Sequence, residues 1–330
     1  MPTSTYRQGR LVMAATALAI LGLAGASRAA EPMLSVSNTG VVQQVPESSA
    51  RGSAPFRPDV RAVEVAGLQT EVAPFTMTDA EYARFMRDFK PAVPYYAKDA
   101  PAPETVLGAD RRFRYSPKES YFPYQSVGQL TFTQNGGSYT CTGWLIGNNT
   151  VMTAGHCVHS GGSWGAWSSN VMFYPARNGK NNPFGGCSAR TLYSQTGWTV
   201  LGSETSDYGA VKLNCTVGNS TGWFGWYWTT ASQAGVPILV LGYPGDKQRG
   251  TAWGAAARIE YSETYKTRYK ADTAGGMSGG PVVQADGSGI CQGDCGIAVH
   301  AYGQDTLGTN SATRITQTVS NFMLSWRDAP

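Results

Sequence analysis

From Thr105 to the end of the chain, apolar residues come in short runs broken by glycine, proline and asparagine. That punctuation limits the fold more than any other feature. The runs "SVGQLTFTQ" (126–134), "YTCTGWLIG" (139–147), "PILVLGYPG" (237–245) and "GIAVHAYG" (296–303) are continuously apolar or alternate with period two. Both patterns belong to strands. Their recurrence with turn signals between them predicts an all-β barrel or sandwich. One segment breaks the pattern. In "RITQTVSNFMLSW" (314–326), Ile315, Val319, Phe322, Met323 and Trp326 share a helical face, which predicts a terminal helix packed on the β body. A core is affordable: 330 residues hold 17 Tyr, 9 Trp and only 15% charged residues, which excludes a disordered polymer.

The first 104 residues read differently. Arg7 and Arg10 precede an apolar run from Leu11 to about Gly25, followed by small residues to Ala29. This order is that of a secretory signal peptide over 1–29. A membrane anchor is the alternative, and the run is too short for one. Residues 30–104 contain no Cys, Trp or His and are rich in proline and charge. Segments such as "KPAVPYYAKDAPAPE" exclude regular helix and central strand, because proline lacks the donor and clashes. One helix is expected here: "TDAE" (78–81) is a capping-box pattern, Tyr82, Phe85, Met86 and Phe89 follow at helical spacing, and Pro91 supplies the stop. A propeptide folding against the body is expected, with a plain linker as the alternative.

Export changes the meaning of the six cysteines. In an oxidising compartment an even count implies disulfides, and pairing between sequence neighbours is expected: Cys141 with Cys157, Cys187 with Cys215, Cys291 with Cys295. No histidine stands at finger-like spacing to them, so no metal site is expected.

The stretch "ADTAGGMSGGP" (271–281) places Ser278 among glycines. A serine hydroxyl needs a base within hydrogen-bond reach, and the base needs an orienting group. Only three histidines exist, His156, His159 and His300. His156 lies in "TAGHC" beside Cys157, where a disulfide would fix the backbone next to a base; His159 reads as a loop residue. Of the acids between His156 and Ser278, Asp246 sits in a hydrophilic turn and Glu260 and Glu263 in a polar segment. Asp207 opens "DYGAVKL", the context of a carboxylate entering a core, and is the expected orienting partner. The glycines let the amides of Gly276 and Ser278 converge as an oxyanion hole. Alone, "GMSGG" is weak evidence; joined to "TAGHC" and an intervening acid it points to nucleophilic catalysis.

"TAGHC", "DYGAVKL" and "GMSGGPV", in that order, resemble the chymotrypsin-fold serine proteases. With "VLGADRR", "CTGWLIG", "GYPGDK", "SETYK" and "CQGDCGIAVHAYG", the chain is most similar to the bacterial glutamyl endopeptidases, V8-like and especially Bacillus-type, over most of 105–330. The resemblance implies two six-stranded antiparallel β-barrels, about 105–218 and 219–330, with the active site between them and a C-terminal α-helix. It also implies His156 as general base, Asp207 as its partner and Ser278 as nucleophile. Three departures stand out. Gly280 replaces a usual serine, Met277 stands where animal digestive enzymes carry an acid, and Cys187 with Cys215 is an added pair.

Specificity has two readings. Asp272, six residues before Ser278, would select Lys or Arg in a trypsin-like pocket. Thr273 and His300 match the positions with which glutamyl endopeptidases hold a substrate carboxylate. Hydroxyl and imidazole are suitable donors for an anion that would be costly to bury unpaired. Acidic specificity, Glu above Asp, is therefore expected. Cleavage at Glu104–Thr105 by the enzyme itself would free a Thr105 amine to add positive charge near the pocket. Expected partners are acidic protein or peptide substrates and the chain's own propeptide. No nucleic acid, no membrane after signal removal, and a monomer are expected, in an extracellular or periplasmic setting. The net charge of +4 attracts acidic substrates weakly. No cofactor is called for, and a structural calcium is left open. "GWFGWYWTT" (222–230) reads as an interbarrel core strand rather than a carbohydrate surface. The remaining alternatives are a Lys/Arg-cutting enzyme and a catalytically silent binding module on the same fold.

Overall fold

Six strands of the first half close on themselves: Val127–Gln134, Gly137–Leu145, Thr150–Thr153, Ser169–Pro175, Cys187–Gln195 and Gly209–Leu213. Closure comes from Gly209–Leu213, which pairs antiparallel with both Thr150–Thr153 and Cys187–Gln195. A second set of six, Pro237–Gly242, Trp253–Ser262, Lys266–Tyr269, Pro281–Gln284, Cys295–Tyr302 and Asn310–Arg314, closes through Cys295–Tyr302, which pairs with strands on either side. This computed structural model describes residues 34–45, 72–92, 105–117, 122–285 and 295–330, all within one compact unit, Met33–Pro330. The two closed antiparallel barrels are of chymotrypsin type, as expected.

Each barrel buries its own side chains. The first is filled by Leu130, Phe132, Leu145, Val151, Phe173 and Leu192 around the disulfides Cys141–Cys157 and Cys187–Cys215. Cys295 is also disulfide-bonded, and its expected partner Cys291 lies outside the described residues. The second barrel is filled by Ile238, Val240, Ile259, Tyr269, Val282 and Ile297. Met277 is packed in this apolar cluster, so a carboxylate at that position would be buried without a partner.

A third cluster joins the barrels. Trp144, Met152 and Tyr208 from the first meet Phe224, Trp226, Leu241, Tyr243 and Val299, and the helix Gln317–Asp328 adds Val319, Phe322, Met323 and Trp326. The aromatic run 222–230 thus supplies interbarrel core, as the sequence implies. Thr316 caps the terminal helix by accepting the Val319 amide. At its other end the buried Lys212 ammonium donates to the Arg327 carbonyl at 2.8 Å, a cation at the negative pole of the helix.

Two N-terminal pieces lie on this body. The hairpin Leu34–Ser37 and Val42–Gln44 extends the first barrel's sheet by pairing with Cys187–Gln195, and Ser35 Oγ accepts from Trp326 Nε1 at 2.8 Å. The expected helix forms at Asp79–Asp88 with both arms of the Thr78–Glu81 capping box. It stops at Asp88, before Pro91, and the chain continues as a short strand, Phe89–Pro91.

Candidate active site

Strand register brings the first two groups together. Gly209 is paired with Thr153. Continued in antiparallel sense, that register brings Asp207, two before Gly209, level with Gly155, two beyond Thr153, and so beside His156. His156 sits on a one-turn helix, Gly155–Val158, anchored by the Cys141–Cys157 bridge. Its backbone amide donates to Asp207 Oδ1 and its Nδ1 lies against Asp207 Oδ2, both at 2.8 Å. Both side chains are fully buried. Gly155 leaves the room for this, since a side chain there would meet Asp207 Oδ1 at 2.9 Å and Trp198. A carboxylate on Nδ1 keeps the proton there and leaves Nε2 basic. Among the described residues Nε2 has no hydrogen-bond partner.

The loop carrying Ser278 comes from the second barrel and is stapled to the first by Thr142. The Thr142 amide donates to the Ser278 carbonyl and its Oγ1 to the Gly276 carbonyl, each at 2.8 Å, while the same Oγ1 accepts the Tyr243 amide at 2.9 Å. Cys157 Sγ lies 3.9 Å from the Ser278 carbonyl oxygen, so the backbone of the loop meets the residue that follows His156 in the chain. Gly276 has φ +100° and Gly279 φ +85°, conformations that L side chains rarely adopt. A side chain on Gly279 would also collide with the Thr142 carbonyl, and one on Gly280 with the Leu241 carbonyl. The serine familiar at the latter position therefore has no space here. Thr142 escapes a sequence reading because nothing marks it beyond its place after Cys141.

A second group of residues lies on the other side of the loop. His300 exchanges backbone hydrogen bonds with it, its carbonyl accepting from the Gly279 amide at 2.7 Å and its amide donating to Gly280 at 2.9 Å. His300 Nδ1 is 2.6 Å from the Tyr269 hydroxyl. Burial, and then the proximity of His156, push the His300 imidazole down to about 3, with a partial offset from the Ser311 backbone. It is neutral at ordinary pH. The direction of the Tyr269 bond goes with the tautomer: where Tyr269 donates to Nδ1, the proton of the neutral ring is on Nε2. The buried Thr273 Oγ1 has no partner among the described residues. The Thr273 amide donates to the Thr105 carbonyl at 3.3 Å. Asn310 grips Thr105 from both sides, Oδ1 accepting its amide at 3.3 Å and Nδ2 donating to its carbonyl at 2.7 Å.

Asp272 does something else. Its Oδ1 accepts the Leu107 amide at 2.8 Å; its Oδ2 accepts the Arg111 amide at 2.9 Å and Arg111 Nε at 3.2 Å. The carboxylate is 1% exposed. It clamps segment 105–111 rather than facing a substrate. His159 is not a plain loop residue either. It is buried, bridges to Trp167 and accepts the Gly161 amide at 3.0 Å, and burial pushes its imidazole down to about 4.

Residues 114–323 match the Trypsin family model. The chain belongs to the trypsin family. It is a serine endopeptidase of the V8-like group. It is 34% identical over 314 residues to the glutamyl endopeptidase of Bacillus licheniformis, covering 94% of this chain and 92% of that protein. It is also 39% identical over 227 residues to a Bacillus subtilis protein named extracellular metalloprotease, covering 68% of this chain and 70% of the relative. A solved Glu endopeptidase in complex with MPD superposes with TM-score 0.60 at 26% identity, covering 68% of this trypsin-family chain and 100% of that one. The metal named for the second relative has no fit among the described residues. Among the described residues the one group of three potential ligands is Cys141, His156 and Cys157. Both of its sulfurs are locked in a disulfide and supply no thiolate. Among the same residues, no helix is long and apolar enough to cross a membrane.

Proposed function

We propose that this chain is an exported protease cutting after Glu, and less well after Asp, with His156, Asp207 and Ser278 as its triad. His156 Nε2 takes the Ser278 Oγ proton as Oγ attacks the acidic residue's own carbonyl carbon. The Gly276 and Ser278 amides hold the oxyanion. The proton passes to the leaving amine as the C–N bond breaks, and a water then hydrolyses the acyl-enzyme by the same route. The buried carboxylate on His156 Nδ1 supports this assignment. Side chains and water suffice for every step.

Thr273, His300 and the Thr105 amine are proposed to receive the substrate carboxylate. The observation that carries this reading is a buried, neutral His300 hydrogen-bonded through its backbone to the Ser278 loop, together with a buried Thr273 hydroxyl that has no partner among the described residues; with Nε2 protonated, His300 is a donor as well. Two neutral donors suit an anion and offer an incoming guanidinium nothing. The trypsin-like alternative needs a free carboxylate at Asp272, and both of its oxygens are occupied by Leu107 and Arg111. The names of the Bacillus licheniformis and crystallised relatives agree with cleavage after Glu. Residues 1–29 are proposed as a signal peptide, 30–104 as a propeptide and 105–330 as the mature extracellular enzyme. Cleavage at Glu104–Thr105 would convert the Thr105 amide held by Asn310 into an ammonium beside Thr273.

A panel of peptides with Glu, Asp, Lys, Arg or Phe before the scissile bond tests the specificity. Glu should lead, followed by Asp; a lead for Lys or Arg would end the proposal. The processing site is tested by N-terminal sequencing of the secreted product, with Thr105 expected first and an unprocessed chain expected from Ser278→Ala.

A further inference from the structure

We propose that residues 75–92 are a tethered inhibitor, whose segment 89–92 lies in reversed sense on the edge where the leaving-group side of a substrate must bind. This rests on the protease reading above and adds a partner to the same cleft.

The strand is placed by strong anchors. Phe89–Pro91 pairs in parallel with Ser138–Thr140, and the Ala92 amide donates to the Thr140 carbonyl at 3.0 Å. Ala92 is buried. Upstream, the Arg249 guanidinium donates to the Met86 and Phe89 carbonyls at the end of the helix Asp79–Asp88. This satisfies groups a helix terminus leaves open, with a cation at its negative pole. The Tyr82 hydroxyl returns a hydrogen bond to the Arg249 carbonyl at 2.7 Å. The buried Arg177 guanidinium stacks over the Phe85 ring, 4.0 Å from its centroid.

The edge adjoins the nucleophile loop. Thr140 precedes Cys141 and Thr142, and Thr142 holds the Ser278 and Gly276 carbonyls. Pro91 presses on Gly245, whose amide donates to the Gly275 carbonyl at 2.7 Å. Thr273 and His300 approach Ser278 from the second barrel, so a substrate seated there sends its leaving side toward this edge of the first. An exposed edge recruits an extended peptide through its backbone groups.

Direction decides between substrate and inhibitor. Strand Gly137–Leu145 runs toward Thr142 and the nucleophile, and a parallel partner runs the same way. Residues after a scissile bond run away from the nucleophile, so a cleavable peptide on this edge is antiparallel to Ser138–Thr140. Segment 89–92 therefore fills the edge without presenting a carbonyl in register for attack.

The inert full chain Ser278→Ala allows a binding test with two peptides, one ending at Glu and one continuing four residues beyond it. In that chain both should bind alike, because the extra residues find the edge occupied. Arg249→Ala or Phe85→Ala should tighten the longer peptide on the order of tenfold, the effect of one charged hydrogen bond, and leave the shorter one unchanged. Tighter binding of the longer peptide to the unaltered inert chain, or equal shifts of both peptides, would overturn the proposal. A misfolded variant betrays itself by losing the shorter peptide, and the comparison within the inert parent still decides. If neither peptide binds the parent, either the pocket needs the Thr105 ammonium that processing frees or the acidic pocket fails. The inhibitor is then judged by hydrogen exchange at the Ala92 amide: slow in the parent and fast in Arg249→Ala if the latch is real, fast in both if it is not.

Discussion

The neutral state of His300 has a cost that a stability measurement can read. Its imidazole is fully buried against Tyr269, and burial, reinforced by His156, holds it at about 3 against an ordinary 6.5. Between those values the unfolded chain binds a proton that the folded chain refuses, so stability falls as pH drops through the window. Between pH 7 and pH 5 the folded state takes up almost nothing at this site while the unfolded state becomes almost fully protonated. The linkage integral is about 2 kcal/mol for this one residue. His300→Gln keeps an acceptor for the Tyr269 hydroxyl and removes the titration. Guanidinium unfolding of Ser278→Ala, with and without His300→Gln, at pH 7 and pH 5 gives the four free energies needed. The drop between the two pH values should be smaller by about 2 kcal/mol in the His300→Gln chain. Any loss common to both pH values cancels, as does the contribution of His159, which both chains retain. Equal drops in the two chains would show that His300 is not held neutral by its surroundings, and the account of the pocket would fall with it.

Three further outcomes follow from the same contacts. Tyr269→Phe removes the hydroxyl that holds the His300 imidazole; kcat/KM for Glu substrates should fall about tenfold with the melting temperature little changed, and an unchanged kcat/KM would detach Tyr269 from specificity. Asp207→Asn should preserve the fold but lower kcat on the order of ten-thousandfold through the wrong His156 tautomer, measured by steady-state hydrolysis and near-ultraviolet circular dichroism; a loss below about tenfold would remove Asp207 from its role. Asp272→Asn should raise KM for Glu substrates by loosening Thr105 through Leu107 and Arg111, without altering the ranking among Glu, Lys and Arg; a changed ranking would place Asp272 in the pocket after all.

What the sequence disclosed and what it withheld divide along one physical line. Groups whose chemistry needs a particular local backbone announced themselves: the Thr78–Glu81 cap, the glycines around Ser278, the cysteine beside His156, the helical face ending at Trp326. Each is a short-range constraint, solved within a few residues of chain. What depends on register between distant strands stayed hidden. Asp207 could be chosen over its competitors from its apolar context, but its contact with His156 exists because Gly209 pairs with Thr153. Asp272 stood at an offset compatible with a cation pocket, and only the docking of 107–111 shows where its oxygens go. Tyr269, Asn310 and Thr142 carry no motif at all, yet they hold the His300 imidazole, seat the Thr105 backbone and staple the nucleophile loop. The sense of segment 89–92 is the extreme case. Nothing in its four residues dictates the sense of pairing with Ser138–Thr140: Pro91 has no amide to give, and the remaining backbone groups can pair in either direction. The anchors at Phe85 and Arg249 fix where the helix ends, and so which way the chain leaves it. A reversed strand beside a nucleophile is thus a property of the placement of the helix immediately upstream, and sequence variation in that helix would change inhibition without touching the edge itself.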